Sequence, residues 1–195
     1  MSIVLETERL VLRTWTLDDF DDLAAMLADP KVMEFLAIDG KPESRFAAWR
    51  ALCGIVGHWQ LLGFGMFAAI DRASGALVGR VGPWQPEGWP DFEVGWVLRS
   101  QYWGRGYATE AANRCIAHAF TDLGRDHLSS FILPENTRSI RVAERVGERL
   151  EGEILLPHMP DRKVLQYGLS RAEWEARVLG YRANMRSISK SNESQ

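Results

Sequence analysis

Short runs of alternating apolar and polar residues, interleaved with stretches where apolar residues recur every three or four positions, predict strands and helices in mixed order. Residues 9–13 (RLVLR) alternate and read as the first strand. Thr16 with Asp19 makes a helix start, and Phe20, Leu23, Ala24 and Leu27 give an apolar face to about Ala28. Asp29-Pro30 interrupts that helix, a short one follows over 31–35, and Asp39-Gly40 is a turn. A longer helix is predicted from Pro42 to about Gln60, with Phe46, Trp49, Cys53, Val56 and Gln60 on one stripe.

Residues 64–70 and 76–81 read as two strands around a hairpin turn, 71–75, that ends in Gly75. Three prolines and a glycine make 83–90 a loop, and it carries two tryptophans, Trp84 and Trp89. These either cap the core or an interface, or line a ligand pocket. Residues 91–98 form the next strand and 106–120 the next helix, with Ala108, Ala112, Cys115 and Ala119 inward. A strand over 127–133 leads to a helix over 136–146 closed by Gly147. Residues 149–156 and 163–169 read as a terminal antiparallel pair, and Ser170 with Glu173 as the capping box of a last helix to about Leu179. From Asn184 the chain is Ser, Lys, Asn and Glu and is expected to be a disordered tail. Strands first, then one helix between strands, then strand, helix and strands predict a mixed α/β (α+β) sheet with helices on both faces. One domain over 1–183 accommodates all of it.

Composition narrows the function classes. A net charge of −3 argues against a general nucleic-acid or membrane-surface binder. Cys53 and Cys115 fit no metal spacing and no disulfide framework, so no metal site is expected and both read as buried thiols. The longest apolar run, 61–70, is too short to cross a bilayer and contains glycines. Glu6, Glu8 and Arg9 arrive before a signal sequence could form, which leaves a cytoplasmic protein as the default. Eight tryptophans are many for this length and point to a homo-oligomer of unspecified order.

The informative chemistry lies where the strand over 91–98 turns through Gln101-Tyr102-Trp103-Gly104-Arg105-Gly106 into a helix. Such a turn presents successive backbone N–H groups and a helix dipole to an anion, and glycine lets an oxyanion come close. A Walker loop would need Gly-Lys-Ser/Thr, and a dinucleotide fingerprint a third glycine where Thr109 stands. The pattern that fits is Gln-x-x-Gly-x-Gly-x-Ala, carried by Gln101, Gly104, Gly106 and Ala108. Downstream, Asn136, Ser139 and Val142 make an N-x-x-S-x-x-V segment. Together the two motifs resemble the GCN5-related N-acetyltransferases, the GNAT family. The extended run YWGRGYATEAA looks most like its RimJ/RimL-type branch.

That resemblance implies a mostly antiparallel twisted sheet whose two central parallel strands splay apart around acetyl-CoA. It implies transfer of the acetyl group to a primary amine, either a protein N-terminal α-amine or a small-molecule amine, by direct attack. Backbone N–H groups from Arg105 to Thr109, Tyr107 and Ala108 included, would hold the pyrophosphate, with Arg105 and Arg99 adding charge. Asn136 and Ser139 would meet the pantetheine arm, and a main-chain N–H at Val97 or Leu98 would stabilise the developing oxyanion.

The general base is expected to be Glu93, which shares strand parity with Val97; a solvated strand carboxylate is the alternative. His58 is a second candidate base. Ser139, or else Tyr167, would serve the departing thiolate. One departure from the family stands at 147–148, where Gly-Glu replaces the usual Gly-Phe. A second class of function, a non-catalytic acyl-CoA sensor, would keep the binding motifs without a working base.

Overall fold

The computed structural model describes residues 3–36, 39–157 and 159–180. The expected tail from Asn184 lies outside the described residues. Eight strands form one sheet: β1 (Val4–Glu6), β2 (Leu10–Arg13), β3 (Phe67–Asp71), β4 (Leu77–Trp84), β5 (Glu93–Leu98), β6 (His127–Ile132), β7 (Arg149–Leu156) and β8 (Met159–Ser170). Their order is β1-β2-β3-β4-β5-β6-β8-β7, and every neighbouring pair is antiparallel except β5 and β6. The helices are α1 (Phe20–Leu27), α2 (Pro30–Met33), α3 (Arg45–Leu62), α4 (Tyr107–Thr121), α5 (Thr137–Val146) and α6 (171–180).

The sheet has a core on each face. On one, Leu12, Phe67, Val81, Val94 and Leu128 pack against Ala112, Cys115, Ile116 and Phe120 of α4. On the other, Ala68 and Leu77 pack against Leu23 and Met26 of α1 and Leu52 and Ile55 of α3. Strand alternation produces this division, because successive side chains leave a strand on opposite faces. α3 starts at Ser44, whose hydroxyl accepts from the Ala47 N–H, and ends at Gly63 in the left-handed region.

The stripe expected along α3 is on its outer side. Phe46 is 72% exposed, Trp49 42% and Val56 45%, and Cys53 is exposed as well. The packed face is Ala48, Leu52, Ile55 and His58. The helix carries apolar residues on two faces, and periodicity alone does not say which one meets the sheet. Cys115 is buried as expected, and burial pushes its thiol up to about 12. Two further differences follow from tertiary pairing. β1 forms because β2 offers it an edge, and β4 continues through Pro83 and Trp84 because β5 reaches back to pair with them.

What opens the sheet is the parallel pair. β5 and β6 are in register at a single position, Glu93 opposite Ser129, where the Ser129 N–H donates to the Phe92 carbonyl at 2.9 Å. Beyond it the strands part. The first carbonyl left without a ladder partner, that of Val94, accepts the Ser130 hydroxyl at 2.7 Å. A side chain thus closes the fork where the backbone no longer can.

Candidate active site

The parting strands open into a cavity of about 1320 Å3. At one end stands the N-terminus of α4. Gly104 (φ 75°) and Gly106 (φ 82°) both lie in the left-handed region, and Gly106 caps the helix without a side chain. The first N–H groups of the helix therefore have no acceptor within it and face the cavity, which Gly104, Gly106, Tyr107, Ala108 and Thr109 line. The rest of this motif is structural. The Tyr107 hydroxyl donates to Asp71 Oδ2 at 2.5 Å, tying α4 to the β3–β4 turn. That bond, with those from Ser74, holds the Asp71 carboxyl down to about 2. Glu110 accepts from the Arg9 guanidinium, the Arg9 N–H and the Thr7 hydroxyl, and a second Arg9 nitrogen donates to the Arg105 carbonyl. The loop is braced from β2 before any ligand arrives.

Arg105 itself is exposed and outside the cavity lining, near the Tyr102 ring. Arg99 is likewise absent from the lining, since it is paired with Asp22 of α1 at 2.9 Å and donates to the Leu77 carbonyl. The cations that do line the cavity include a row on α5, Arg138, Arg141 and Arg145, with Arg138 over the Trp103 ring. Sequence reading passed over them, although spacings of three and four mark one helix face.

Along the wall, backbone direction alternates. Phe92 faces β6, so Trp96 and Leu98 do too, and their N–H groups point into the opening. The Arg99 N–H donates to Val78 on β4, so odd-numbered Val97 points that way. Of the two expected oxyanion donors, Leu98 is the one turned to the cavity, with Trp96 beside it. The Leu98 carbonyl is already taken by Trp103 Nε1 at 2.9 Å. Asn136 caps α5 by accepting from the Ser139 N–H at 3.1 Å, which leaves its amide donors free. Ser139 Oγ accepts from Trp96 Nε1 at 3.3 Å, so its own proton is free, and both residues line the cavity.

At the inner end lies Glu93. Its Oε2 accepts from Trp89 Nε1 at 2.8 Å, and burial pushes its carboxyl up to about 7. A Cβ at Gly95 would stand 3.0 Å from Glu93 Oε1, so glycine is what lets the carboxylate lie flat on the strand. Trp84 and Trp89 line the cavity, as do Trp96 and Trp103. His58 is not available as a base. Its Nδ1 donates to the Phe64 carbonyl at 2.8 Å and its Nε2 accepts from the Gln85 N–H at 3.2 Å. With both nitrogens engaged, it serves as the platform on which Trp84 stacks at 4.4 Å. Tyr167 is also elsewhere. It is buried on β8 against Ile132 and Ala143 and does not line the cavity.

The Gly-Glu departure has a physical account. Glu148 is buried, 3.0 Å from Ser130 Oγ, with its Oε2 unpartnered among the described residues. Ser130 has one proton, and the Val94 carbonyl can only accept it. Glu148 therefore donates to Ser130 as a carboxylic acid, consistent with burial raising its carboxyl well above the usual range.

The model of the acetyltransferase (GNAT) domain matches residues 9–149. The chain belongs to the GNAT acetyltransferase family. An uncharacterised N-acetyltransferase of Bacillus licheniformis, p20, is 30% identical over 152 residues, covering 76% of this chain and 83% of that protein. Among solved structures, an acetyltransferase from Agrobacterium tumefaciens superposes with a TM-score of 0.76 at 30% identity, covering 87% of this chain and 95% of that one. A RimL ribosomal L7/L12 α-N-protein acetyltransferase, solved with coenzyme A, has a TM-score of 0.71 at 16% identity over 86% and 98% of the two chains, a likeness of fold. GNAT acetyltransferases use acetyl-CoA, and the cavity suits it: the first N–H groups of α4 and a row of arginines line it, and the Trp96 and Leu98 N–H groups turn toward it along the strand. Among the described residues no helix is long and apolar enough to cross a membrane.

Proposed function

We propose that this GNAT enzyme transfers the acetyl group of acetyl-CoA to a primary amine by direct attack, with Glu93 as the general base. The observation that carries the reading is a single cavity joining the uncapped N-terminus of α4 to the Glu93 carboxylate through the fork between β5 and β6. The Tyr107, Ala108 and Thr109 N–H groups take the pyrophosphate, helped by the arginine row of α5. Helix-end charge interactions of this kind are worth about 0.3–1 kcal/mol each when exposed and up to ~2 kcal/mol when partly buried. The Asn136 amide donates to the pantetheine arm.

Glu93, with its carboxyl near 7, accepts the proton that the attacking amine gives up. The N–H groups of Leu98 and Trp96 donate to the acetyl carbonyl oxygen as it gains charge, an effect worth about 2.7–4 kcal/mol where such donors have been removed in other enzymes. Ser139 offers its free proton to the departing thiolate.

The test pairs acetyl-CoA titration by calorimetry with CoA release from a panel of amines and peptides. Tight acetyl-CoA binding and acceptor-dependent release are expected, with kcat/KM rising through a limb near pH 7. Glu93→Gln should lose about 10²–10⁴-fold in turnover and the limb with it, while still binding acetyl-CoA. Undiminished turnover in Glu93→Gln would remove Glu93 from the mechanism. Failure of the wild type to bind acetyl-CoA would remove the whole reading.

A further inference from the structure

Arg80 is a charged group in the cavity with no work in the scheme above. Arg80 lies on β4 opposite Val97 and lines the cavity on the face that Glu93 occupies. Its Nε is covered and unpartnered, and among the described residues no carboxylate lies within 4 Å of its guanidinium. A guanidinium cannot shed its charge, so a half-buried one without an acceptor is costly unless a ligand supplies one. Burial indeed pulls it below its ordinary value, with Glu93 opposing.

The surroundings say where that ligand would sit. Strand parity puts Arg80, Gly82 and Trp84 on the same sheet face as Val97, Gly95 and Glu93, and the register sets Gly82 directly opposite Gly95. Neither glycine puts a side chain between the cation and the carboxylate; the Glu93 carboxylate and the Met66 methyl lie over Gly95, and Phe67 lies close to Gly82. Arg80 and Glu93 are close enough to influence each other and too far apart to pair directly. Their strand positions are four residues apart, about 13 Å along the sheet, the Glu93 side chain reaches back over Gly95, and the cavity that both line is where a compact molecule could meet the two. Trp84, set by its stack on His58, walls the gap.

From this geometry we infer that the acceptor is a small amine that carries its own carboxylate, held by the Arg80 fork with its amino group toward Glu93. The planar guanidinium matches a carboxylate with two parallel hydrogen bonds. The inference rests on the acetyltransferase reading and narrows its acceptor. In the reaction the amine nitrogen forms the new bond to the acetyl carbon, the carbon–sulfur bond breaks, the amine proton passes to Glu93 and CoA leaves as the thiol. Arg80 touches only the acceptor's carboxylate and neutralises it beside Glu93, where two anions would otherwise repel.

The experiment compares each amino acid of a panel with its own carboxamide, as acceptors in the CoA-release assay. The corresponding N-acetylated products are titrated into the CoA-bound protein by calorimetry. A peptide with a free N-terminus and no acidic residue is a third arm. The wild type is expected to prefer the acid to the amide by about 10- to 100-fold in both readouts. Arg80→Gln should abolish that preference and Arg80→Lys restore part of it. Loss of Arg80 also changes the field at Glu93, but this affects acid and amide alike and cancels in their ratio. Circular dichroism and acetyl-CoA titration on the same samples report folding and the transferase reading separately. Equal use of acid and amide, preference for the neutral peptide, or a panel in which nothing is bound or acetylated would overturn the inference. Loss of acetyl-CoA binding by the wild type would instead strike the reading beneath it.

Discussion

Glu93 and Glu148 are both carboxylates withdrawn from water, and they face different neighbours. Glu93 opens on the cavity and has a tryptophan donor, so it can give up its proton near neutrality. Glu148 has only the Ser130 hydroxyl, with the Glu93 and Glu151 carboxylates near enough to disfavour a further charge. Its raised carboxyl makes folding depend on pH. The folded protein keeps the Glu148 proton where the unfolded chain has released it, so this contribution is full below the ordinary carboxylate range. It declines as pH rises through that range toward the raised folded value, by about 1.4 kcal/mol per pH unit for one proton. Glu148→Gln keeps the shape and cannot ionise. Urea melts at pH 5 and pH 8 are expected to differ less for this variant than for the wild type. An unchanged difference would mean that Glu148 is not the group responsible. The residue was visible in the sequence as a departure from the family, but its protonation was not, since Ser130 and Glu93 reach it only through the fold.

At the scale of elements, α4 was the most legible and α3 the least. The start of α4 is set by consecutive residues: two glycines with positive φ turn the backbone, and the uncapped helix follows. Gly106→Ala would force an L residue into the left-handed region, at about 1–2 kcal/mol. If that strain is relieved by rotating the loop, acetyl-CoA should bind about 5- to 30-fold more weakly by calorimetry, with a modest fall in melting temperature. Unaltered affinity would argue that the N–H groups of this turn do not hold the ligand. For α3, the bulkier apolar stripe is exposed and the smaller one packed. Leu52→Ala is expected to cost about 2–5 kcal/mol in denaturant unfolding. Phe46→Ser should stay within about 0.5 kcal/mol. The reverse order would mean that the outer stripe is covered in solution by another surface.

For the whole molecule, the decisive feature is that β5 and β6 pair at one position and then part. Ser130 closes the fork by serving the Val94 carbonyl and, at the same oxygen, the Glu148 carboxyl. Ser130→Ala leaves both buried groups short of a partner and should lower stability by about 1–3 kcal/mol in urea unfolding. Acetyl-CoA affinity should fall too, because the fork is the floor of the cavity. A variant as stable as the wild type would mean that water replaces the hydroxyl there.

By itself the sequence determined the order of most strands and helices, the glycine turn at 104–106, the second motif at Asn136 and Ser139, and through them the family. These are local: a few consecutive residues set backbone direction, and backbone direction aims the N–H groups. Tertiary structure alone decided which face of α3 is packed, that Arg99 is spent on Asp22 and Tyr167 on the core, that His58 has both nitrogens engaged, and that Glu93 and Arg80 share one sheet face and one cavity. Burial, charge state and convergence depend on what residues far along the chain bring to the same place, and no spacing within a segment encodes that.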